Sequence, residues 1–390
     1  MDRIGIGIVG YGMIGRVHAI NYKELPLLYP GQLPEIDLVG VCTSREETAK
    51  SAQQETGAGV WSTDVEEFVN RDDIDVIDCS APNQLHRDVA LAALKAGKHV
   101  YCEKPLARSG DEARELYQAA RNASAEAHGT AGSGPSFGMT FNYRFIPAIL
   151  RAKQLIDEGR IGGVYTYRAE YLHTGYQDPN RPLGWKLKKE EGGSGALADL
   201  GSHVIDLVRY LLGEYRSVQA NFETFIKERP VSKGASQKGT VTVDDVAWFH
   251  ARMESGAVGT VEASRFATGT LDDLRIRIHG EKGALFFDLM EPDWLWWYDE
   301  ARAKGDYGGE RGWLRLDAVQ NYPGAAAPPP RSPIGWIRSH AENQYRFLRS
   351  VAEGSPPSPD GLDGLRTQLV MDAAERSNEE SGAWTEVPKE

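Results

Sequence analysis

The sequence predicts a two-domain α/β protein: a doubly wound parallel sheet over residues 1–140, then a larger α/β domain over 141–390 with a large, mostly antiparallel open sheet. Three observations predict it. The 390 residues exceed the size at which one hydrophobic core usually stops growing. In the first third, short buried strands alternate with helices, the order that lays parallel strands under helices on both faces. Beyond residue 140 helices become sparse and β-rich runs follow one another, as antiparallel strands can.

Residues 4–9, IGIGIV, read as the first strand, running into Gly10-Tyr11-Gly12-Met13-Ile14-Gly15 and a helix. The strand IDLVGVCTS (36–44) precedes the helical REETAKSAQQETG, and IDVIDCSAP (74–82) precedes NQLHRDVALAALKAG. KHVYCEKP (98–105) precedes a helix starting near Ser109, and the small, polar stretch Asn122–Ser136 reads as a loop. After a short strand, FGMTFNY, and the helix IPAILRAKQLIDEG come six β-rich runs: VYTYRAEYLH, SVQANFETFI, DVAWFHARM, AVGTVEASRFA, LRIRIHG and GALFFDL. The proline-rich stretches 323–333 and 353–361 are expected as surface loops, and a terminal helix spans about 362–379.

Between the first two of those β runs lies ALADLGSHVIDLVRYLLGE (196–214), an amphipathic helix by its spacing of Leu197, Leu200, Val204, Leu207 and Leu211. Asp199, His203 and Asp206 form a second stripe, each one residue ahead of an apolar neighbour and so about 100° from the buried face. An acid-histidine-acid ladder on the flank of a core helix calls for a chemical reason.

A net charge of −12 works against nucleic acid and anionic membranes, because it repels phosphate at long range, and favours a small neutral or modestly charged ligand. No apolar run approaches the roughly eighteen residues of a membrane span, and the glycine-broken N-terminus lacks the features of a secretory signal. Cys42, Cys79 and Cys102 each end a predicted buried strand without CxxC spacing, which reads as reduced core thiols and, with no export signal, as a cytoplasmic protein.

Gly10-x-Gly12-x-x-Gly15 is weak alone, but here a strand precedes it, a helix follows and a second strand ends about twenty-eight residues later. In that context it is a Rossmann dinucleotide fingerprint. Gly10 permits the tight turn, Gly12 lets the backbone approach a pyrophosphate, Gly15 lets helix and strand pack closely, and Tyr11, Met13 and Ile14 complete the loop. The tip of the second strand reads Cys42-Thr43-Ser44-Arg45, with no acid to repel a 2′-phosphate. Thr43, Ser44 and Arg45 favour NADP over NAD, while Glu46 and Glu47 keep NAD open.

With GYGMIG at the start, CEKPL closing a later strand and GGSGALADLGSHVIDL in the second half, the sequence resembles the Gfo/Idh/MocA oxidoreductases, the glucose-fructose oxidoreductase and inositol dehydrogenase family. The resemblance covers essentially the whole chain. It implies that Lys104, Asp199 and His203 flank the nicotinamide and the reacting carbinol, with the active site between the two domains. In that reading His203 accepts the hydroxyl proton, Asp199 orients it, and Lys104 offers positive charge to the developing alkoxide. It also implies that Ser80, Pro82, Asn83, His86 and Glu103 contact the cofactor together with Lys104. Asn142, Arg144 and Trp185 match cleft-lining segments; Tyr171 and His173, which end a strand of the second sheet, and Arg265, a hydroxyl donor, join them as substrate contacts.

The implied activity is reversible NAD(P)-dependent oxidation of a secondary alcohol on a cyclic polyol or sugar, by a homodimer or homotetramer joined through the open sheet. Two other readings stay open: a glycoside-cleaving enzyme using transient oxidation with tightly held NAD, and a catalytically silent dinucleotide-binding regulator. A zinc hydrolase built on His203 lacks HExxH or another ligand cluster, so no metal is expected.

Overall fold

The glycine-laced strand RIGIGIV and its neighbours build a parallel sheet in this computed structural model, which describes residues 2–127, 134–318, 321–329, 332–333 and 335–390. The first elements are β1 (Arg3–Val9), α1 (Met13–Leu28), β2 (Glu35–Cys42), α2 (Glu46–Thr56), β3 (Val60–Ser62), α3 (Val65–Val69), β4 (Val76–Cys79), α4 (Asn83–Lys95), β5 (His99–Cys102), α5 (Gly110–Ala127) and β6 (Phe137–Met139). The strands order as β3-β2-β1-β4-β5-β6, all parallel. That order places the switch point between β1 and β4, where the connections diverge and a dinucleotide cradle forms beyond the strand ends.

The elements that follow are α6 (Pro147–Asp157), β7 (Val164–Leu172), the one-turn α7 (Lys189–Gly192), α8 (Ser202–Leu212), β8 (Tyr215–Glu223), β9 (Glu228–Pro230), β10 (Lys238–Thr240), β11 (Val246–Met253), β12 (Val258–Ser264), β13 (Asp273–Gly280), β14 (Gly283–Asp288), β15 (Trp294–Asp299), β16 (Trp313–Asp317), α9 (Trp336–Glu353), α10 (Gly361–Glu379) and β17 (Thr385–Glu386). Nine strands form one sheet ordered β16-β15-β14-β13-β7-β12-β11-β8-β17, antiparallel except for the pair β12 and β7. Its buried face packs on α6, α8 and α10 through Ala169, Phe249, Val261 and Ile276 from the strands and Ile149, Val204, Val208 and Val370 from the helices. Alternation of buried and exposed residues along β11 follows directly from the period-two pattern of VAWFHARM.

The chain forms two compact units: one holds residues up to Asn142 with Asn321–Gln368, the other Tyr143–Gln320 with Leu369–Lys389. The second unit is therefore not the continuous 141–390 expected from the sequence. Helix α9 packs on α1, with Tyr345 stacked on Tyr29 at a centroid distance of 3.6 Å. Helix α5 also runs to Ala127, through residues expected as loop, because Asn122–Ala127 is rich in alanine, the strongest helix former; residues 128–133 of that stretch, and 330–331 of the loop 323–333, lie outside the described residues. Among the described residues no helix is long and apolar enough to cross a membrane.

Candidate active site

The first unit carries the glycine loop. Gly10 holds φ +94°, and a Cβ there would lie 2.5 Å from the backbone nitrogen of Ala81, so the turn after β1 admits only glycine. A Cβ on Gly15 would sit 2.3 Å from the Gly10 carbonyl oxygen, which is how α1 comes so close to the end of β1. At Gly12 a Cβ would meet nothing within 4 Å, and α1 starts there without a side-chain cap or an acid in its first turn. Open space before uncapped N–H donors fits a pyrophosphate. Met13 stands exposed beside them, Tyr11 and Ile14 are partly buried, and Arg16 lies over the Tyr11 ring.

At the tip of β2, Ser44 and Arg45 are exposed, and Arg45 is the residue from which α2 starts. The Thr43 hydroxyl is engaged locally: it donates to the Arg45 carbonyl at 3.0 Å and pairs with Thr48 Oγ1 at 2.6 Å. Thr43 thus shapes the tip rather than reaching out from it, leaving Ser44 and Arg45 as the outward groups.

The ends of β4 and β5 carry a buried charged cluster that the sequence reading missed. His18, on α1, points Nδ1 at Asp78 Oδ2 (2.9 Å) and Nε2 at Glu103 Oε1 (3.4 Å). Tyr22 and Ser80 donate to Asp78 at 2.7 Å each, and Glu103 Oε2 accepts the backbone N–H of Lys104 at 3.1 Å. Burial opposes charge on His18, but the two carboxylates outweigh it and raise its pKa to about 10; Glu103, likewise opposed by burial, is held at about 2 by His18. His340 from α9, buried beside them, is pushed down to about 3 by burial and stays neutral. The signal in the sequence was a histidine three residues after the glycine loop, eight positions from Gly10.

His86, expected beside the cofactor, is held by the fold on both ring nitrogens. It is buried, with Nδ1 on the Pro105 carbonyl (2.8 Å) and Nε2 on the Ala81 carbonyl (2.9 Å), bracing two loops from α4. Pro82 and Asn83 begin that helix, and Ser80 is occupied by Asp78. Asn142 is also buried, its amide donating to Ser339 Oγ at 3.1 Å and tying it to α9.

The second unit supplies the acid-histidine ladder. The expected helix is two pieces: a π-helical turn, Leu197–Gly201, that carries Asp199, and α8, whose first turn carries His203. Asp244 caps its start from afar, accepting the N–H groups of Gly195 (2.6 Å) and Leu197 (2.9 Å) and the Ser194 hydroxyl (2.8 Å). A Cβ on Gly195 would lie 1.8 Å from the Asp244 carbonyl oxygen, so the close approach requires glycine. Capping thus does not fall to Asp199. Its Oδ1 accepts instead from Lys186 Nζ at 2.7 Å, an ammonium whose pKa, lowered by burial, Asp199 brings above the ordinary value. Lys186 follows Trp185, whose ring its ammonium overlies at 5.5 Å.

His203 packs between Tyr143 and Tyr171, with centroids 4.7 and 5.9 Å away. Tyr143 and Tyr171 join hydroxyls at 2.6 Å, and Asp272 accepts from Tyr171 (2.5 Å) and faces His173 Nε2 (2.7 Å). Tyr143, Lys186 and Asp272 went unnoticed in the sequence.

Two residues expected as substrate contacts make ionic and hydrogen-bond contacts within the fold. Arg144 is buried in a two-point ion pair with Asp206, Nε to Oδ2 at 2.8 Å and Nη2 to Oδ1. That pair also accounts for the third rung of the ladder. Arg265 is fully buried, donating to the carbonyls of Lys186 (3.2 Å) and Asp244 (2.9 Å) and lying over Tyr176, so it fastens the Lys186 and Asp244 loops together.

Residues 4–128 match the oxidoreductase family with an NAD-binding Rossmann fold (GFO/IDH/MocA), and residues 149–286 match the GFO/IDH/MocA C-terminal domain. Levoglucosan dehydrogenase of Pseudarthrobacter phenanthrenivorans is 34% identical over all of this chain and 99% of its own, and myo-inositol 2-dehydrogenase of Thermotoga maritima is 26% identical over 96% of each. Levoglucosan dehydrogenase in complex with NADH and L-sorbose superposes with a TM-score of 0.91 at 33% identity, covering both chains completely. An oxidoreductase domain protein from Kribbella flavida gives 0.91 at 36%, again over both chains in full. Matched in both domains and along its whole length, the chain belongs to the Gfo/Idh/MocA family of NAD-binding oxidoreductases.

Proposed function

We propose that this oxidoreductase oxidises a secondary alcohol of a cyclic sugar or polyol, reversibly, with an anhydrosugar of the levoglucosan kind as the first substrate to try. The observation that carries the reading is the division of labour at the head of α8: Asp244 does the capping, so Asp199 is held by Lys186 on the same helical turn that leads to His203. A carboxylate and an imidazole four residues apart suit the removal of a hydroxyl proton.

The bound nicotinamide supplies the hydride acceptor. His203 takes the hydroxyl proton, Asp199 orients the imidazole and the hydroxyl, and Lys186 holds Asp199 in position through its 2.7 Å contact. Lys104, carried by the EKP turn whose Glu103 is pinned to His18, offers positive charge to the developing alkoxide. Asn83, Pro82 and Glu103 frame the nicotinamide end, and Tyr171, His173 and Trp185 the sugar.

NADP is the preferred dinucleotide in this reading, since the exposed Arg45 and Ser44 end β2 without a carboxylate at the tip. The protein is a cytoplasmic homodimer or homotetramer, supported by three buried free cysteines and by the exposed Tyr165, Trp248 and Val258 on the open sheet. A screen of anhydrosugars, inositols and aldoses with NAD and NADP, following reduced nicotinamide by absorbance, tests the activity; light scattering tests the assembly.

A further inference from the structure

His18 lies on α1, Glu103 directly follows β5 and His340 lies on α9, so three elements far apart in the chain meet at one buried point of the first unit. One potential ligand atom from each residue lies within 4.8 Å of the other two. His18 Nε2 and Glu103 Oε1 stand 3.4 Å apart, an ion-pair distance longer than a hydrogen bond, and neither ring nitrogen of His340 has a hydrogen-bond partner. Buried polar atoms are nearly always satisfied, so four unmet ones at one point call for a partner that the side chains do not supply.

The outer contacts are those of a metal site. His18 turns Nδ1 to Asp78 at 2.9 Å, and Asp78 is held in turn by Tyr22 and Ser80 at 2.7 Å each. A carboxylate on the far nitrogen of a ligating imidazole fixes its tautomer and aims the other nitrogen at the ion. Glu103 is braced in the same way, because its Oε2 accepts the Lys104 N–H at 3.1 Å while Oε1 faces the centre. Tetrahedral ligands about 2.0–2.1 Å from zinc lie about 3.4 Å from one another. That is the separation between Nε2 and Oε1. A second buried trio, Cys79, His86 and Cys102, is equally close but fails this test: both His86 ring nitrogens already face carbonyl oxygens, at 2.8 and 2.9 Å.

We propose that His18, Glu103 and His340 form a binding site for one divalent transition-metal ion of the zinc class, which staples α9 to α1 and to the turn that carries Lys104. Two imidazoles and one carboxylate suit zinc or cobalt(II), whereas magnesium and calcium take oxygen ligands. Three protein ligands leave a fourth position for water. In the metal-free protein the proton that His18 points at Glu103 takes the place of the ion. No sequence motif marks the site, since its ligands come from three separate elements.

The full chain, freed of metal with a chelator, is loaded with zinc chloride, desalted and assayed for bound zinc by atomic absorption, with melting temperatures taken before and after. One zinc should remain per chain and the melting temperature should rise by several degrees, because an ion that binds only the folded state stabilises it. His340→Leu and His340→Gln each remove one ligand. Both should weaken zinc binding by more than about a hundredfold, the upper end of what losing an outer contact costs, and abolish the thermal shift. Cobalt(II) in the parent should give the strong visible absorption of a four-coordinate nitrogen and oxygen site, a readout that needs no variant. A parent that retains no zinc overturns the proposal, as does zinc held equally by both folded His340 variants. The weak absorption of six-coordinate cobalt, or thiolate-to-cobalt charge transfer in the near ultraviolet, would place the ion elsewhere and overturn it too.

Discussion

Lys186 Nζ donates to Asp199 Oδ1 across 2.7 Å, while the Lys186 carbonyl is itself held by the buried Arg265. The ammonium is thus fixed from behind and applied to the carboxylate that stands four residues before His203. Lys186→Met keeps most of the stem and removes the charge. Alcohol oxidation should fall by about 10²-fold with little change in dinucleotide affinity, the loss expected when one preorganised charged contact is removed. Parental kcat/KM in that variant would show that the pair only packs.

Lys104→Met addresses the cofactor side. Turnover should drop by roughly two to four orders of magnitude, because an alkoxide would then develop without a neighbouring cation. Isothermal titration with the dinucleotide should register a much smaller change. A variant as active as the parent would remove Lys104 from the chemistry.

The buried His18 and Glu103 make stability depend on pH in a defined way. His18 is raised from 6.5 to about 10, so its contribution is complete below pH 6.5 and is lost as pH rises through 10. Glu103 is lowered from 4.5 to about 2, so its contribution is complete above pH 4.5 and is lost as pH falls through 2. Together they stabilise fully between 4.5 and 6.5. His18→Gln leaves buried carboxylates without their cation and should cost about 3–5 kcal/mol near pH 6. Urea unfolding across pH would show it, with the alkaline decline of the parent flattened in the variant. An unchanged alkaline limb would mean that His18 is neutral in the fold.

Arg45→Ala tests the tip of β2. NADP affinity should weaken by about 1–3 kcal/mol, the usual worth of a charge-assisted contact, and NAD affinity should be nearly untouched. Equal losses for the two cofactors, or a parent that prefers NAD, would assign the tip another role.

Much of this was legible in the sequence for reasons the structure makes physical. The spacing Gly10-x-Gly12-x-x-Gly15 could be read because two of its glycines are sterically compulsory and the third fronts open space. The second sheet could be read because its strands alternate faces. Helix α9 was overlooked, since it lies between two proline-rich stretches and its buried face carries Ser339, His340, Glu342, Asn343 and Gln344, polar residues that apolar periodicity does not register. The partners of Arg144 and His86, namely Asp206 and the Pro105 and Ala81 carbonyls, could not be read in the sequence because only the fold brings them together. Asp272 lay in a loop where no local pattern marks an acid that orders a tyrosine pair and a histidine.

In the proposed reaction His203 removes the hydroxyl proton as hydride leaves a sugar carbinol. The most direct measurement is the turnover of folded, cofactor-loaded His203→Gln with the sugar that the parent oxidises. The amide keeps a polar contact but is no base, so the variant should melt near the parental temperature, bind the dinucleotide normally and oxidise the sugar about 10²-fold more slowly or worse. Parental turnover in that folded, cofactor-binding variant would contradict the account.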